Sequence, residues 1–350
     1  MRYYFCVREK KCPVRKVLHQ KICCCAVLAG FTFYLLCSSR RIPRDTYHTV
    51  EDHEDFFVDW LHSVYFRPRP DEDYGNVPSR FLLEPASRCT NMTFMIILIE
   101  SLPSEAPRRR LVRSTWGQAA ITRMWHAHRI HEELQLFFIL GRPQNETELQ
   151  AVQDEAGRHD DIVMVDMEDV YRNLTSKTLA GLLWTSLNCP GARYVVKADQ
   201  DTFVHVPRLM TLLRGNEAVF KESLLGEVMH SPLVKRLGKY GLSFKEYLLP
   251  WYASYANGPL YVLDNAVVDN LVRTARHLPY LPFEDVFVGS VCRVLGIRRV
   301  RVQPFLVSEK NNDTFCWFTD IASLDIGVTA LSSEQIQNIW NVLGRGGSLC

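Results

Sequence analysis

Hydrophobic residues along the chain fall into three textures. Ile22 to Cys37 is an uncharged run of 16 residues with basic side chains on either side. Residues 38 to about 88 show no sustained periodicity and carry Pro68, Pro70, Pro78 and Pro85. From Cys89 onward, short apolar runs alternate with stretches of helical period. Met92–Ile99, Leu134–Leu140, Ile162–Val165, Tyr194–Val196 and Leu260–Leu263 predict buried strands. Helices are predicted over Arg109 to about Ile121, Glu146–Arg158, Leu174–Leu187, Asn265 to about Arg276, and Asp285–Leu295. Strands alternating with helices predict an α/β fold, a mostly parallel sheet covered on both faces. Such sheets bind ligands beyond the carboxyl ends of their strands.

Charge separates the ends of the chain. Residues 1–21 hold seven basic side chains and one acid, whereas the remainder holds 34 basic and 38 acidic residues. A mildly acidic body excludes nucleic acid as the main partner, because phosphate binding needs a basic field. As a helix, residues 22–37 would span roughly 24 Å, a little under the ~27 Å hydrocarbon thickness of early secretory membranes. Tyr34 and the flanking cations make up the difference at the headgroups. The denser positive charge before the run predicts a cytosolic tail (1–21), a signal anchor (22–37), a luminal stem (38–88) and a luminal body (89–350). A cleaved signal peptide ending near Cys37-Ser38-Ser39 is the alternative, and the long polar lead argues against it.

Six of the 11 cysteines lie in the tail or the apolar run. The other five, Cys89, Cys189, Cys292, Cys316 and Cys350, suit one or two disulfides in an oxidising lumen, with the pairing left open. Sequons at Asn91, Asn145, Asn173 and Asn312 fit the same compartment.

The residues most informative about chemistry are Lys197-Ala198-Asp199-Gln200-Asp201-Thr202-Phe203, where an apolar strand runs into two carboxylates. Alternate residues of an extended chain face one way, so Asp199 and Asp201 are expected to converge. The pair reads either as a solvated turn or as a site for a hard divalent ion such as Mn2+ or Mg2+ shared with phosphates. Glu284-Asp285 opens a predicted helix, with Asp285 a cap or a general base. His126, His128 and His131 do not share a helical face and are read as surface residues. No zinc-type Cys-x-x-Cys pair, Gly-x-Ser-x-Gly elbow or Walker loop is present.

Six ordered blocks over about residues 89–343 resemble the β-1,3-galactosyltransferases and β-1,3-N-acetylglucosaminyltransferases of the animal secretory pathway. Arg109 to Gly117 resembles Arg-x-x-Ile-Arg-x-Thr-Trp-Gly, and Phe138-Ile139-Leu140-Gly141 matches a Phe-x-x-Gly strand end. Asp166 to Thr178 is similar to Asp-Phe-x-Asp-x-Tyr-x-Asn-Leu-Thr-x-Lys-Thr. Lys197 to Phe203 sits where the family carries Lys-x-Asp-x-Asp-x-Phe. Tyr255 to Val262 resembles Tyr-x-x-Gly-x-x-Tyr-Val, and Glu284 to Gly289 resembles Glu-Asp-Val-x-x-Gly.

The resemblance implies a GT-A-type Rossmann-like fold in a Golgi type II membrane enzyme. It would transfer galactose or N-acetylglucosamine from a UDP-sugar, with inversion, onto a glycan acceptor of a glycoprotein or glycolipid. Asp201, with Asp199, would bind Mn2+, and Asp199 would also face the donor. Arg109, Arg113, Asp166 and Lys177 would line or brace the donor pocket. Asp285 would be the base, and Glu284, Tyr255 and Gly258 would meet the acceptor. Cys89 and Cys189 occupy the positions of a family disulfide. Three departures stand out: Gln200 inside the acidic triplet, Pro259 beside Gly258, and Thr329 where relatives carry His. Gln200 and Thr329 motivate a second reading, a non-catalytic member serving as a glycan-binding or partner-stabilising subunit. A glycoside hydrolase using Asp201 and Asp285 is a third, ranked last because a strand-end acidic pair suits a cation better.

Overall fold

Among the described residues fourteen strands build three sheets: β1 (His48–Asp52), β2 (Phe81–Leu83), β3 (Thr93–Glu100), β4 (Met124–Trp125), β5 (His128–Arg129), β6 (Glu133–Arg142), β7 (Ile162–Glu168), β8 (Tyr194–Asp199), β9 (Phe203–Val204), β10 (Ser223–Met229), β11 (Tyr255–Asp264), β12 (Arg298–Gln303), β13 (Leu306–Ser308) and β14 (Gly327–Thr329). The computed structural model describes residues 48–52, 56–86, 89–308, 318–320 and 323–346. The expected tail and anchor, and the sequon at Asn312, lie outside the described residues. Among the described residues no helix is long and apolar enough to cross a membrane.

The main sheet runs β1-β12-β10-β11-β8-β3-β6-β7-β2. β8, β3, β6 and β7 are parallel neighbours, and β10 pairs with β12 in parallel. β11 is antiparallel to both β8 and β10, and β1 and β2 are antiparallel edges. The sheet is therefore mixed, with antiparallel ladders more prominent than the apolar runs predicted.

Alternation along β3 shows how the layers form. Ile96 and Leu98 pack on one face with the Leu174–Asn188, Val268–Ala275 and Glu284–Leu295 helices. Met95, Ile97 and Ile99 pack on the other, with helices that include Val206–Gly215 and Ser333–Gly344. A strand buried on both faces reads as an unbroken apolar run, which is why β3 and β6 are legible in the sequence. Local signals end the elements. Asn145 Oδ1 accepts from Glu148 N at 2.9 Å to start the Glu146–His159 helix, and Asp160 closes it in the left-handed conformation. A capping box formed by Ser332 and Gln335 starts the Ser333–Gly344 helix.

Three expectations are corrected. The single helix predicted over 109–121 is two, Ala106–Ser114 and Gln118–Ile121. Between them the chain folds back so that Gly117 N donates to Val112 O at 3.0 Å. A Cβ on Gly117 would lie 2.7 Å from that oxygen, so only glycine closes this turn. The stem boundary at 88 does not divide the fold: the Phe56–Tyr65 helix and β2 precede it, and Phe66 and Val77 are buried in the core. Asn76 Nδ2 also donates to Ala275 O at 2.8 Å and Leu278 O at 2.7 Å. Finally, β10 and β12 join the sheet beyond the expected strands: Gly226-Glu227 breaks the apolar run of one, and the other offers only Val300 and Val302 among three arginines.

Cys89 and Cys189 form a disulfide, the pair that the resemblance implies, and it ties the chain before β3 to the end of the Leu174–Asn188 helix. Cys292 is a buried free thiol.

Gly289 sets the seat of the Glu284–Leu295 helix on β11. A Cβ there would lie 2.5 Å from Tyr255 Cβ and 2.7 Å from Ser254 O. Gly289→Ala is expected to cost about 1–3 kcal/mol through overpacking, read as a lower urea midpoint than wild type.

Candidate functional site

Every parallel strand at the centre of the sheet delivers its carboxyl end to one edge. β3 ends at Glu100, β6 at Arg142, β7 at Glu168 and β8 at Asp199. Two cavities open along that edge. One, of about 420 Å³, is lined by Leu102–Ser104, Arg142–Gln144 and Glu168–Val170 among others. The other, of about 710 Å³, includes Asp199, Asp201, Tyr255, Gly258, Glu284 and Asp285 in its lining.

Asp199 and Asp201 converge on the larger cavity by a different route from the one expected. Only Asp199 is in the strand. Thr202 N donates to Asp199 O at 3.1 Å, so Asp201 sits in a turn rather than two residues along an extended chain. Leu331 N donates to Asp201 O at 3.0 Å and fixes that turn to the segment after β14. Gln200 points away, accepting from Ser101 Oγ at 2.9 Å. Burial and the neighbouring Asp199 charge raise the Asp201 carboxyl above the ordinary range.

Below the acids lies a residue to which the sequence reading gave no role. Lys197, 1% exposed, places Nζ against Asp199 Oδ1, 2.9 Å from Glu284 Oε1 and 2.8 Å from Gly258 O. Burial opposes its charge, yet Asp199, Glu284 and Glu100 together hold its pKa above normal. The signal was present: Lys197 is the one cation in the run Tyr194-Val195-Val196-Lys197-Ala198, and a charge in a buried strand needs a partner. Glu284 is braced from its other side by Tyr261 OH at 3.0 Å. Burial pushes Glu284 up to about 8. Expected to meet the acceptor, Glu284 is 3% exposed and spends both oxygens on Lys197 and Tyr261.

Asp285 lies in the first turn of the Glu284–Leu295 helix. Its Oδ1 accepts from Val286 N at 2.8 Å at the opening of the helix, and its Oδ2 accepts from Gly258 N at 3.2 Å. It still borders the cavity, and burial raises its carboxyl. Gly258 reaches it because β11 bulges: Gly226 faces Tyr261 whereas Val228 faces Ala256, which throws Asn257–Leu260 out of the β10 ladder. A Cβ on Gly258 would lie 3.0 Å from Glu284 Oε1 and 3.2 Å from Asp285 Oδ2. Tyr171, Tyr240, Tyr252 and Tyr255 add an aromatic wall, and burial pushes the hydroxyls of Tyr171 and Tyr252 up to about 12.

Arg109 and Arg113, expected near the donor, line neither cavity. Arg109 is fully buried and grips Glu155 through Nε at 2.9 Å and Nη2 at 2.7 Å. Arg113 grips Asp161 at 2.7 and 2.8 Å and reaches Glu155 at 2.7 Å. Their donors are consumed by a buried network that pins the Ala106–Ser114 helix beneath the sheet edge. Arg109 Nη1 donates to Ser101 Oγ at 3.1 Å, the group that holds Gln200, and its guanidinium also donates to the carbonyls of Leu102 and, at 3.1 Å, Pro103, which line the smaller cavity.

Lys177 is buried and braces the smaller cavity, donating to Asp169 Oδ1 at 2.7 Å and Ser101 O at 2.8 Å. Asp169, which the sequence reading passed over, accepts from Gly141 N at 2.7 Å and lines that cavity. Asp166 lies in an adjoining groove, paired with Arg142 at 2.7 Å and Arg80 at 3.2 Å. Thr329 borders the larger cavity and accepts from Thr202 Oγ1 at 3.0 Å. Asn91 and Asn145 are exposed, while Asn173 is half-buried with Nδ2 donating to Glu168 O at 3.1 Å.

Residues 107–303 match the family model described as Galactosyltransferase. The chain belongs to the galactosyltransferase family. It is 32% identical over 223 residues to human beta-1,3-galactosyltransferase 5, covering 62% of this chain and 69% of that one. Mouse N-acetyllactosaminide beta-1,3-N-acetylglucosaminyltransferase 4 is 34% identical over 218 residues, covering 62% of this chain and 60% of its own. Rat UDP-GalNAc:beta-1,3-N-acetylgalactosaminyltransferase 1 is 29% identical over 303 residues, 82% of this chain and 84% of its own. In this galactosyltransferase-family fold the matched region runs from the Ala106–Ser114 helix through β12 and includes Asp169 of the smaller cavity and Asp199, Asp201 and Asp285 of the larger.

Removing Lys197 leaves the Asp199 carboxylate without its ammonium partner. Lys197→Met is expected to lose about 3–5 kcal/mol of stability at pH 7 in urea unfolding, and Lys197→Met/Asp199→Asn to recover part of it. Because Glu284 titrates near 8 when folded against an ordinary 4.5, its contribution is present below 4.5 and fades as pH rises through 8. The urea midpoint should fall less over that window in Glu284→Gln than in wild type.

Proposed function

We propose that this glycosyltransferase moves galactose, or N-acetylglucosamine, from a UDP-sugar onto a glycan hydroxyl in β-1,3 linkage with inversion. The observation that carries the reading is the convergence of Asp199, Asp201 and Asp285 on one cavity at the carboxyl edge of the sheet. The smaller cavity at the ends of β3, β6 and β7 suits the nucleoside end of the donor, and the larger suits the sugar and the acceptor. The mixed sheet and this edge support a GT-A-type reading. The signal anchor read from residues 22–37 supports a type II protein of the Golgi membrane with its body in the lumen.

Among the described residues no group of three or more His, Cys, Asp or Glu side chains could hold a metal ion. That excludes an all-protein cage and leaves the two carboxylates, hard oxygen donors with surplus negative charge between them. Such a pair fits a divalent ion completed by substrate phosphates and water. Asp201, with Asp199, would hold Mn2+ there, and the ion would supply Lewis-acid stabilisation of charge on the departing diphosphate.

The chain's own residues do the rest. Asp285, its carboxyl raised by burial, takes the proton of the acceptor hydroxyl as that oxygen attacks the anomeric carbon. Val286 N and Gly258 N fix the carboxylate so that only limited reorientation accompanies attack. Lys197 keeps Asp199 and Glu284 in register behind it. Attack opposite the leaving group turns an α-linked donor into a β product. The tyrosine wall offers flat faces for pyranose C–H groups and shields the reacting centre from water.

Asp285→Asn is expected to lower kcat by roughly 10²–10⁴-fold while UDP binding, followed by calorimetry with Mn2+, stays unchanged. Its kcat/KM should lose an acid limb that in wild type lies above the ordinary carboxylate range, with activity rising as pH rises. Asp201→Asn should instead abolish the Mn2+-dependent part of UDP binding. Full turnover by either variant, on a panel of UDP-sugars and glycan acceptors, would refute the assignment.

A further inference from the structure

Large apolar side chains left in water gather in two segments that lie side by side. The Phe56–Tyr65 helix leaves Phe56 86% and Trp60 49% exposed. The segment joining β10 to β11 leaves Leu233, Leu237, Phe244 and Leu248 between 59% and 87% exposed. The two are joined where the Phe57 ring meets Trp251 edge-on, centroids 6.2 Å apart, and where His62 lies 6.3 Å from Tyr247.

The second segment is also basic. Between residues 231 and 250 it carries Lys235, Arg236, Lys239 and Lys245 against the single acid Glu246, which is paired with Arg172. Lys235 Nζ and Lys239 Nζ lie 5.4 and 5.3 Å from the Tyr240 ring centroid. These three residues, with Leu233, form part of the wall of the larger cavity. The face and the site are thus continuous.

Exposed leucine and aromatic residues interleaved with lysines are the composition of segments that lie in a membrane interface. Protein–protein interfaces are instead depleted in lysine at their cores. A symmetric contact with a second copy would bring these lysines toward their own equivalents. Acidic headgroups complement them, and the acyl boundary accepts Leu237 and Phe244.

We propose that this face docks on a bilayer surface containing acidic lipids, and that the acceptor presented to the cavity is a lipid-borne glycan. This deepens, and its acceptor half rests on, the transferase reading. Docking brings the cavity wall formed by Leu233, Lys235, Lys239 and Tyr240 to headgroup level, where a sugar attached to lipid can enter while its lipid stays in the membrane.

The full chain in nanodiscs tests both halves. Trp60 and Trp251 lie on this face, whereas Trp116, Trp125, Trp184 and Trp340 are buried. Brominated acyl chains should quench tryptophan emission more in discs containing acidic phospholipid than in zwitterionic ones. The excess should vanish in Leu237→Asp/Phe244→Asp and shrink in Lys245→Glu, positions that do not line the cavity. In the second arm the same oligosaccharide is offered free in solution or on a lipid in the disc. The double variant should lose roughly tenfold or more of the lipid-borne rate and keep the free rate. Equal quenching in wild type and double variant overturns the docking. An equal fall with both acceptors, or a selective fall with a glycoprotein acceptor, overturns the lipid assignment. Lipid-free self-association that the double variant abolishes assigns the face to a second copy and overturns the proposal. Absence of transfer to every acceptor would sink the transferase reading, while the quenching arm still decides the docking.

Discussion

One buried ammonium organises the carboxyl edge of the sheet. Lys197 contacts Asp199, Glu284 and the carbonyl of Gly258, and those three belong to β8, the Glu284–Leu295 helix and the bulge of β11. A buried ion pair contributes little net stability, because desolvation offsets most of its attraction. What it enforces is geometry: any movement of the three elements that breaks a contact leaves a charge in a low-dielectric interior. Lys177 repeats the device one step along, linking Asp169 and Ser101 while Thr178 holds Glu100. The two lysines therefore brace the two cavities in the same way.

The balance of charge at this edge is uneven. Glu100, Asp199, Asp201, Glu284 and Asp285 surround Lys177 and Lys197, and burial raises the carboxyls of Glu100, Asp201, Glu284 and Asp285. An edge with more acids than bases retains protons, and it gains most from a positive charge arriving with a ligand. Burial, with a smaller push from Asp199, raises the Asp285 carboxyl above a solvated aspartate, although two backbone N–H groups and Lys197 pull the other way.

How much of this was legible depends on where the partners lie in the chain. β3 and β6 show themselves because strands buried on both faces must be apolar throughout, and Asn145 marks its helix by local capping. β12 does not, because it offers only two apolar residues, Val300 and Val302, and its partners are β1 and β10, distant in sequence. Asp199, Asp201 and Asp285 could be nominated from their positions at element ends. The carboxylates that hold Arg109 and Arg113 are distant in sequence: Glu155 lies on the Glu146–His159 helix and Asp161 just after it, 46 and 48 residues away. Nothing local to residues 109–113 reveals that those guanidinium groups are already committed. The Phe56–Tyr65 helix was absorbed into the stem because one turn's worth of inward residues, such as Val58 and His62, is too short a pattern to rise above a charged background.

Glycines supply the last step, since a braced edge must also be open. Gly141 lets Asp169 approach the end of β6, Gly258 lets Glu284 and Asp285 close on β11, and Gly289 lets their helix sit against Tyr255. At each, a Cβ would fall within 3.0 Å of a neighbouring atom. The resulting cavity has acids along its strand-end side and lysines with tyrosines on its outer wall. A molecule bound across it meets opposite fields at its two ends, so orientation is selected before any single contact is made. Lys197 fixes the acidic side from within the core, whereas the basic side rests on a surface segment whose apolar residues face water. That difference in burial holds the acidic groups more firmly than the wall of lysines and tyrosines opposite them.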